Sequence, residues 1–244
     1  HDLADAAQLQ RLLDEAARNA RALAYALAHV QGLSDPADVA DYVREELAVR
    51  LRLDAPPPDF SNPDVRPTDL APMIHATPTG RTTSLARWGL IPSWAKDQGI
   101  AQHTFNARGE TVAEKPSFRA AFRKRRCVVP VTAFYEWQAV PGERRKRKLR
   151  FAGADQEPLA LAGLWEHWIP PGSSEEVRSF TIITTNANAF MAPIHERMPV
   201  ILSDADMDCW LDPDENNPLL LSSLLKPAGE NMLALIEQEA LGVQ

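Results

Sequence analysis

Cys127-Val128-Val129-Pro130 and, two residues on, Ala133-Phe134-Tyr135-Glu136-Trp137 form the stretch on which the fold turns. Short runs of β-branched and aromatic residues, broken by proline, read as strands. Outward from it the same texture runs from Ala71 to about Leu211. Further strand candidates are Pro72–His75, Ser84–Trp88, Lys148–Phe151, Leu159–Leu164, Phe180–Thr184 and Met198–Ile201. Helices are expected at Ser117–Lys124 and Ser203–Leu211. The pattern predicts an α+β domain on a mixed, barrel-like sheet with flanking helices.

Either side of this region the texture changes. From Leu3 to Leu53, residues such as Leu9, Leu12, Leu13, Ala16, Ala20 and Leu23 fall at helical spacing. Ser34-Asp35-Pro36 restarts a helix, with a capping residue and a proline in the first turn. Ala55-Pro56-Pro57-Pro58 opens an extended linker that reaches Pro67, because its prolines forbid a regular helix. The tail, Pro218 to Gln244, reads as one or two amphipathic helices. The expected division is a helical segment over 1–53, packed on or appended to a main domain over 54–244.

The chain of 244 residues, 45% hydrophobic, is long enough to bury a core. No run approaches the roughly 18 apolar residues of a membrane span, and His1-Asp2-Leu3 shows no signal peptide. A soluble, cytoplasmic protein is expected, nucleoid-associated in a bacterium. Its two cysteines, Cys127 and Cys209, make neither a disulfide framework nor a zinc pattern and read as buried, inert thiols. No metal or organic cofactor is implied, since His and Cys do not cluster at ligand spacing.

The net charge is −7, yet Lys115 to Arg150 holds twelve Lys/Arg against Glu136 and Glu143, a local excess of +10. That asymmetry is the mark of a surface facing a polyanion. Two clusters carry it, Arg123-Lys124-Arg125-Arg126 and Arg144-Arg145-Lys146-Arg147-Lys148. The second comes after Pro141-Gly142, so it is also readable as a solvated hairpin tip.

Several ordered phrases resemble one known family. They are Trp88-Gly89-Leu90-Ile91-Pro92-Ser93-Trp94-Ala95, Asn106-Ala107-Arg108 with Glu110-Thr111, Pro116-Ser117-Phe118-Arg119, and Arg126-Cys127-Val128-Val129-Pro130. Phe134-Tyr135-Glu136-Trp137, Ala162-Gly163-Leu164-Trp165-Glu166, Thr184 and Pro193-Ile194-His195-Glu196-Arg197-Met198-Pro199 come next in order. Over roughly Asp64 to Pro213 the chain resembles the SOS-response-associated peptidase (SRAP) family, whose members bind single-stranded DNA and capture abasic sites.

The resemblance implies a site. In the family, a cysteine exposed by removal of the initiator methionine attacks the abasic aldehyde through its α-amine and closes a thiazolidine with its thiol. By resemblance Glu136 shuttles protons, His195 assists ring opening, and Asn106 orients the reacting groups. Arg108 and Arg197 hold phosphates, while Trp88, Trp137 and Pro67 wall the unstacked strand, with Thr184 beside them. Read singly, each has a plain alternative: a surface Glu, a structural His, a turn Asn or a strand Thr.

One part of the pattern is missing. Laying the sequence on the family places the nucleophile near Leu27, where Ala28-His29-Val30 replace the usual glycine-arginine-aromatic stretch. Leucine has no thiol, and an internal residue has no free amine. Three readings are open: a family member altered at its N-terminus, a single-stranded-DNA-binding module without the covalent step, or an interaction protein whose Leu3–Leu53 helices dock or dimerise.

Overall fold

The computed structural model describes residue 48, residues 52–58, 60, 62, 64–155 and 158–238. The helices expected over Leu3–Leu53 and the position near Leu27 thus lie almost wholly outside the described residues. The chain forms two compact units, residues 1–51 and 52–244.

The second unit is an α+β structure dominated by antiparallel pairing. Its strands are β1 (Leu70–Ala76), β2 (Arg81–Trp88), β3 (Asn106–Arg108), β4 (Arg126–Val131), β5 (Phe134–Gln138), β6 (Arg147–Gly153), β7 (Leu159–Trp168), β8 (Val177–Asn186), β9 (Arg197–Pro199) and β10 (Leu233–Gln238). The helices are α1 (Arg119–Lys124), α2 (Asp204–Leu211) and α3 (Pro218–Ser223). A seven-stranded sheet runs β2-β1-β4-β7-β8-β3, with β9 on β8, and a three-stranded sheet runs β10-β6-β5.

The large sheet curls back on itself. Arg87 and Trp88 of β2 pair in parallel with Ser179 and Phe180 of β8, so β2, β1, β4, β7 and β8 form a circuit. With so short a closing pair the result is ring-like rather than a regular barrel. Just beyond it, β3 takes the same edge of β8. The turn out of β2 needs Gly89: its φ is 127°, and a Cβ there would lie 2.6 Å from the Ala101 carbonyl oxygen.

One core joins the two sheets. Met73, Ala86, Val129, Leu161 and Phe180 of the ring cluster with Leu149, Phe151 and Leu233 of the small sheet. Phe134 stacks on Phe151 with ring centroids 5.5 Å apart. Outside the ring, Arg126 is buried and donates to the carbonyls of Phe122, Arg123, Trp210, Asp212 and Glu215. It ties α1, β4 and the end of α2 together. Ser203 caps α2 by accepting from the Asp206 amide at 3.1 Å.

The strand expectations hold with shifted ends, and two features differ. β3 had no apolar run to announce it. The tail after α3 is strand rather than a second helix: Leu233–Gln238 pairs antiparallel with β6, with a register shift between Leu235 and Glu237. Leu and Ala favour helix locally, but the open edge of β6 offers a full ladder of hydrogen bonds, and tertiary pairing overrides the local preference.

Candidate functional site

Alternation along the strands decides what faces what. Trp88 lies opposite Phe180, Asn106 opposite Ile182, Arg108 opposite Thr184, and Arg197 opposite Asn186. All therefore share the Phe180 face of β8, the face that contributes to the core with the small sheet. Asn106 and Arg108 are exposed at its end, and neither makes a side-chain hydrogen bond among the described residues.

On β5 the same rule turns Glu136 inward. Phe134 packs into the core, so Phe134, Glu136 and Gln138 share the inner face, while Tyr135 and Trp137 point away. Trp137 keeps 49% of its surface exposed. Gln138 donates to the Pro193 carbonyl at 3.4 Å, bringing β5 against the loop that carries His195. Burial pushes the Glu136 carboxyl above its ordinary range, and the nearby His195 opposes that shift without cancelling it. A carboxyl and an imidazole from distant segments thus come close enough for one to act on the charge of the other.

The His195 ring is held by its own chain. Its Nδ1 accepts from the Arg197 amide at 3.1 Å and lies 3.1 Å from the Arg197 carbonyl oxygen. The contact with the amide uses a bare Nδ1 and the contact with the carbonyl uses Nδ1–H, so the Arg197 backbone seats the ring in either tautomer.

Arg197 is engaged on every terminal nitrogen. Nη1 donates to Glu110 Oε1 at 2.6 Å and to Asn186 Oδ1 at 3.0 Å. Nη2 donates to Glu110 Oε2 at 2.9 Å and to the Thr184 carbonyl at 2.7 Å, with Thr184 Oγ1 at 3.3 Å. Only Nε is left, and it is buried without a partner. The fork to Arg197 holds the Glu110 carboxyl below its ordinary range, and Arg108 adds to the effect. Sequence reasoning aimed Arg197 at phosphate and passed over Glu110 and Asn186. The signal was Glu110's place two residues after Arg108 in its motif.

The remaining predicted residues stand nearby in the chain's own geometry. The Trp88 indole donates to the Phe105 carbonyl at 2.7 Å and meets the Phe105 ring edge-on. Pro67 is exposed in a turn that the Thr68 amide ties to the Trp88 carbonyl at 2.7 Å. Thr184 Oγ1 donates to the Ala107 carbonyl at 3.4 Å.

The first basic cluster divides. Arg123 and Lys124 are exposed, but Arg125 pairs with Glu166 at 2.7 Å and Arg126 is the buried clamp on backbone carbonyls. In the second, Arg144, Arg145 and Lys146 are exposed at the β5–β6 tip, Arg147 pairs with Glu143, and Lys148 lies 4.1 Å over the Tyr135 ring. Cys127 is fully buried and its thiol is pushed far up. Among the described residues no group of three or more His, Cys, Asp or Glu is placed to hold a metal ion, and no helix is long and apolar enough to cross a membrane.

The chain is similar to abasic site processing protein YoqW of Bacillus subtilis, 45% identical over 141 residues, which cover 58% of this chain and 62% of that one. It is 36% identical over 152 residues to abasic site processing protein HMCES of Xenopus tropicalis, covering 54% and 45%. The chain thus spans less than two thirds of these relatives. A crystal structure of a protein from Bordetella bronchiseptica superposes with a TM-score of 0.66 at 29% identity, covering 78% of this chain and 95% of that one. One from Bacteroides thetaiotaomicron gives 0.63 at 32% identity, covering 68% and 72%. The family model described as SOS response associated peptidase (SRAP) matches residues 34–239, and the chain belongs to that family.

Proposed function

We propose that this protein recognises abasic sites in single-stranded DNA, as a cytoplasmic damage-response protein. The observation that carries the reading is the meeting of β5 with the His195 loop at the Gln138–Pro193 hydrogen bond, which brings the half-buried Glu136 carboxyl near the imidazole. At an abasic site the deoxyribose opens to an aldehyde. Opening takes a proton from the C1′ hydroxyl and gives one to the ring oxygen, and a coupled acid and base perform that exchange. The relatives YoqW and HMCES are both abasic site processing proteins.

The surrounding residues take their roles from position. Asn106, exposed and without a side-chain hydrogen bond among the described residues, orients the reacting oxygen. Arg108, exposed on the same face, takes the nearest phosphate. Arg197 reaches a phosphate only by giving up Glu110. Trp137 offers a stacking surface, and Trp88, Pro67 and Thr184 line the approach.

Thiazolidine formation needs a thiol and a free amine on one residue, and so does N-terminal autoproteolysis by the family's route. No described residue supplies them, because Cys127 is buried and Cys209 is internal with its thiol pushed up by burial. The reading here is recognition with proton transfer, the binding module of the family fold.

The test incubates the protein with a single-stranded oligonucleotide carrying one abasic site, beside intact DNA, Glu136→Ala and about 0.5 M salt to screen phosphates. Retention on a native gel, lost at high salt and without a covalent band, is the expected result. A band that survives denaturation means that a further residue of the chain serves as nucleophile. No retention of either DNA sinks the proposal.

A further inference from the structure

We infer that Glu110 is a positioning residue for His195, acting through Arg197. The carboxylate grips the Arg197 guanidinium with both oxygens, at 2.6 and 2.9 Å, and Arg197 grips the imidazole with its backbone at 3.1 Å. The inference rests on the reading of His195 as a proton-transfer group.

The geometry is that of a fixed anchor. The Thr184 carbonyl accepts from Arg197 Nη2 at 2.7 Å and from the Gly109 amide at 2.8 Å. The turn that carries Glu110, strand β8 and strand β9 therefore meet at one oxygen. The Arg197 side chain is only 14% exposed, against 45% for Glu110. A guanidinium that covered needs its donors met, since a buried unpaired donor is costly. Of the five N–H groups on an arginine, four are met here, two of them by Glu110. Without that carboxylate, half of the satisfied donors lose their partners and the start of β9 loses its tie to the β3 turn. His195, whose ring nitrogen sits against the backbone of the first residue of β9, then loses its fixed position.

The rival account uses the same contacts with the opposite sign. If Glu110 merely occupied a phosphate site on Arg197, removing it would free a cation for DNA and strengthen binding. The two accounts separate in Glu110→Ala and Glu110→Gln, made in the full chain. Nitrogen NMR of the His195 imidazole reads the surroundings of the ring nitrogens without DNA. Affinity for an undamaged thymidine oligonucleotide reads the freed cation, and the rate of abasic-site ring opening, monitored by trapping of the aldehyde, reads the chemistry.

Positioning predicts that both variants move the signals of the His195 ring nitrogens. The ring-opening rate falls about tenfold or more, as small misplacements of reacting groups cost, while undamaged-strand affinity stays within about twofold. Glu110→Gln, which keeps one acceptor and the side-chain volume, falls between wild type and Glu110→Ala. If Glu110→Ala loses its fold, the Gln variant decides alone. Tighter binding of undamaged DNA with unmoved His195 nitrogens overturns the inference. If the wild type neither binds nor opens abasic DNA, the proposed function fails, and the imidazole signals still decide the role of Glu110.

Discussion

Glu136 shows how one residue carries stability and chemistry in opposite directions. Its carboxyl is raised by burial from an ordinary 4.5, so between that value and the raised one the folded state binds more protons than the unfolded chain. Stability from this group is therefore full below the ordinary value and declines as pH rises through the raised one. Glu136→Gln, which never ionises, is expected to melt higher than wild type at neutral pH. The advantage should vanish below about pH 4.5, the ordinary carboxyl value, and thermal melts across that range check the sign. Trp137, on the outer face of the same strand and half exposed, has the reverse profile. Trp137→Ala is expected to leave the melting temperature nearly unchanged and to weaken single-stranded DNA binding by about 1–3 kcal/mol, the worth of one stacked base; fluorescence titration measures it.

At the scale of elements, the ring depends on two close approaches. Gly163 of β7 sits where an added Cβ would lie 2.9 Å from Cys127 Sγ and 2.9 Å from the Thr181 carbonyl oxygen. Neither neighbour is a flexible chain end, so Gly163→Ala is expected to cost about 1–3 kcal/mol by overpacking, read as a lower urea midpoint with an unchanged slope. Arg126 holds α1 and α2 to β4 through backbone carbonyls, with its guanidinium 5.8 Å over the Trp210 ring. Arg126→Met leaves those carbonyls without donors in a buried site, and a loss of about 3 kcal/mol is expected, at the upper end for a single unmet group. The late strand β10 makes the complementary point. Its Leu235 and Ile236 remain exposed, and the register shift there bends the sheet edge, a common guard against edge-to-edge pairing.

For the whole molecule the governing quantity is charge distribution. A protein with net charge −7 meets DNA only through a local excess, so its binding should weaken steeply with salt. Single strands give a slope of about 0.7 per phosphate contact. Arg108→Ala is expected to reduce the slope by about 0.7, while the triple change Arg144, Arg145 and Lys146 to Ala reduces it by about 2 if the hairpin tip lies along the strand. An unchanged slope for the triple variant returns the tip to solvent. Affinities across a salt series, from anisotropy, give both values.

What the sequence determined by itself was the set of strands and the chemistry of the site words. Short runs of β-branched and aromatic residues punctuated by proline and glycine are local signals, and Cys127–Pro130 or Phe180–Thr184 needs no distant partner to be read. Glu136 and His195 were legible as words of a motif. That they share a site was implied by resemblance alone, and what brings them together is the meeting of β5 with the His195 loop at the Gln138–Pro193 contact. Charge pattern misjudged Arg125 and Arg126, since a basic run looks alike whether its members face water or clamp carbonyls. Three-residue β3 and the strand fate of Leu233–Gln238 also escaped, being set by open edges on β8 and β6. Only the tertiary structure decided which cations are spent inside the protein, because hydrogen-bond satisfaction is a property of three-dimensional neighbours rather than of residue order.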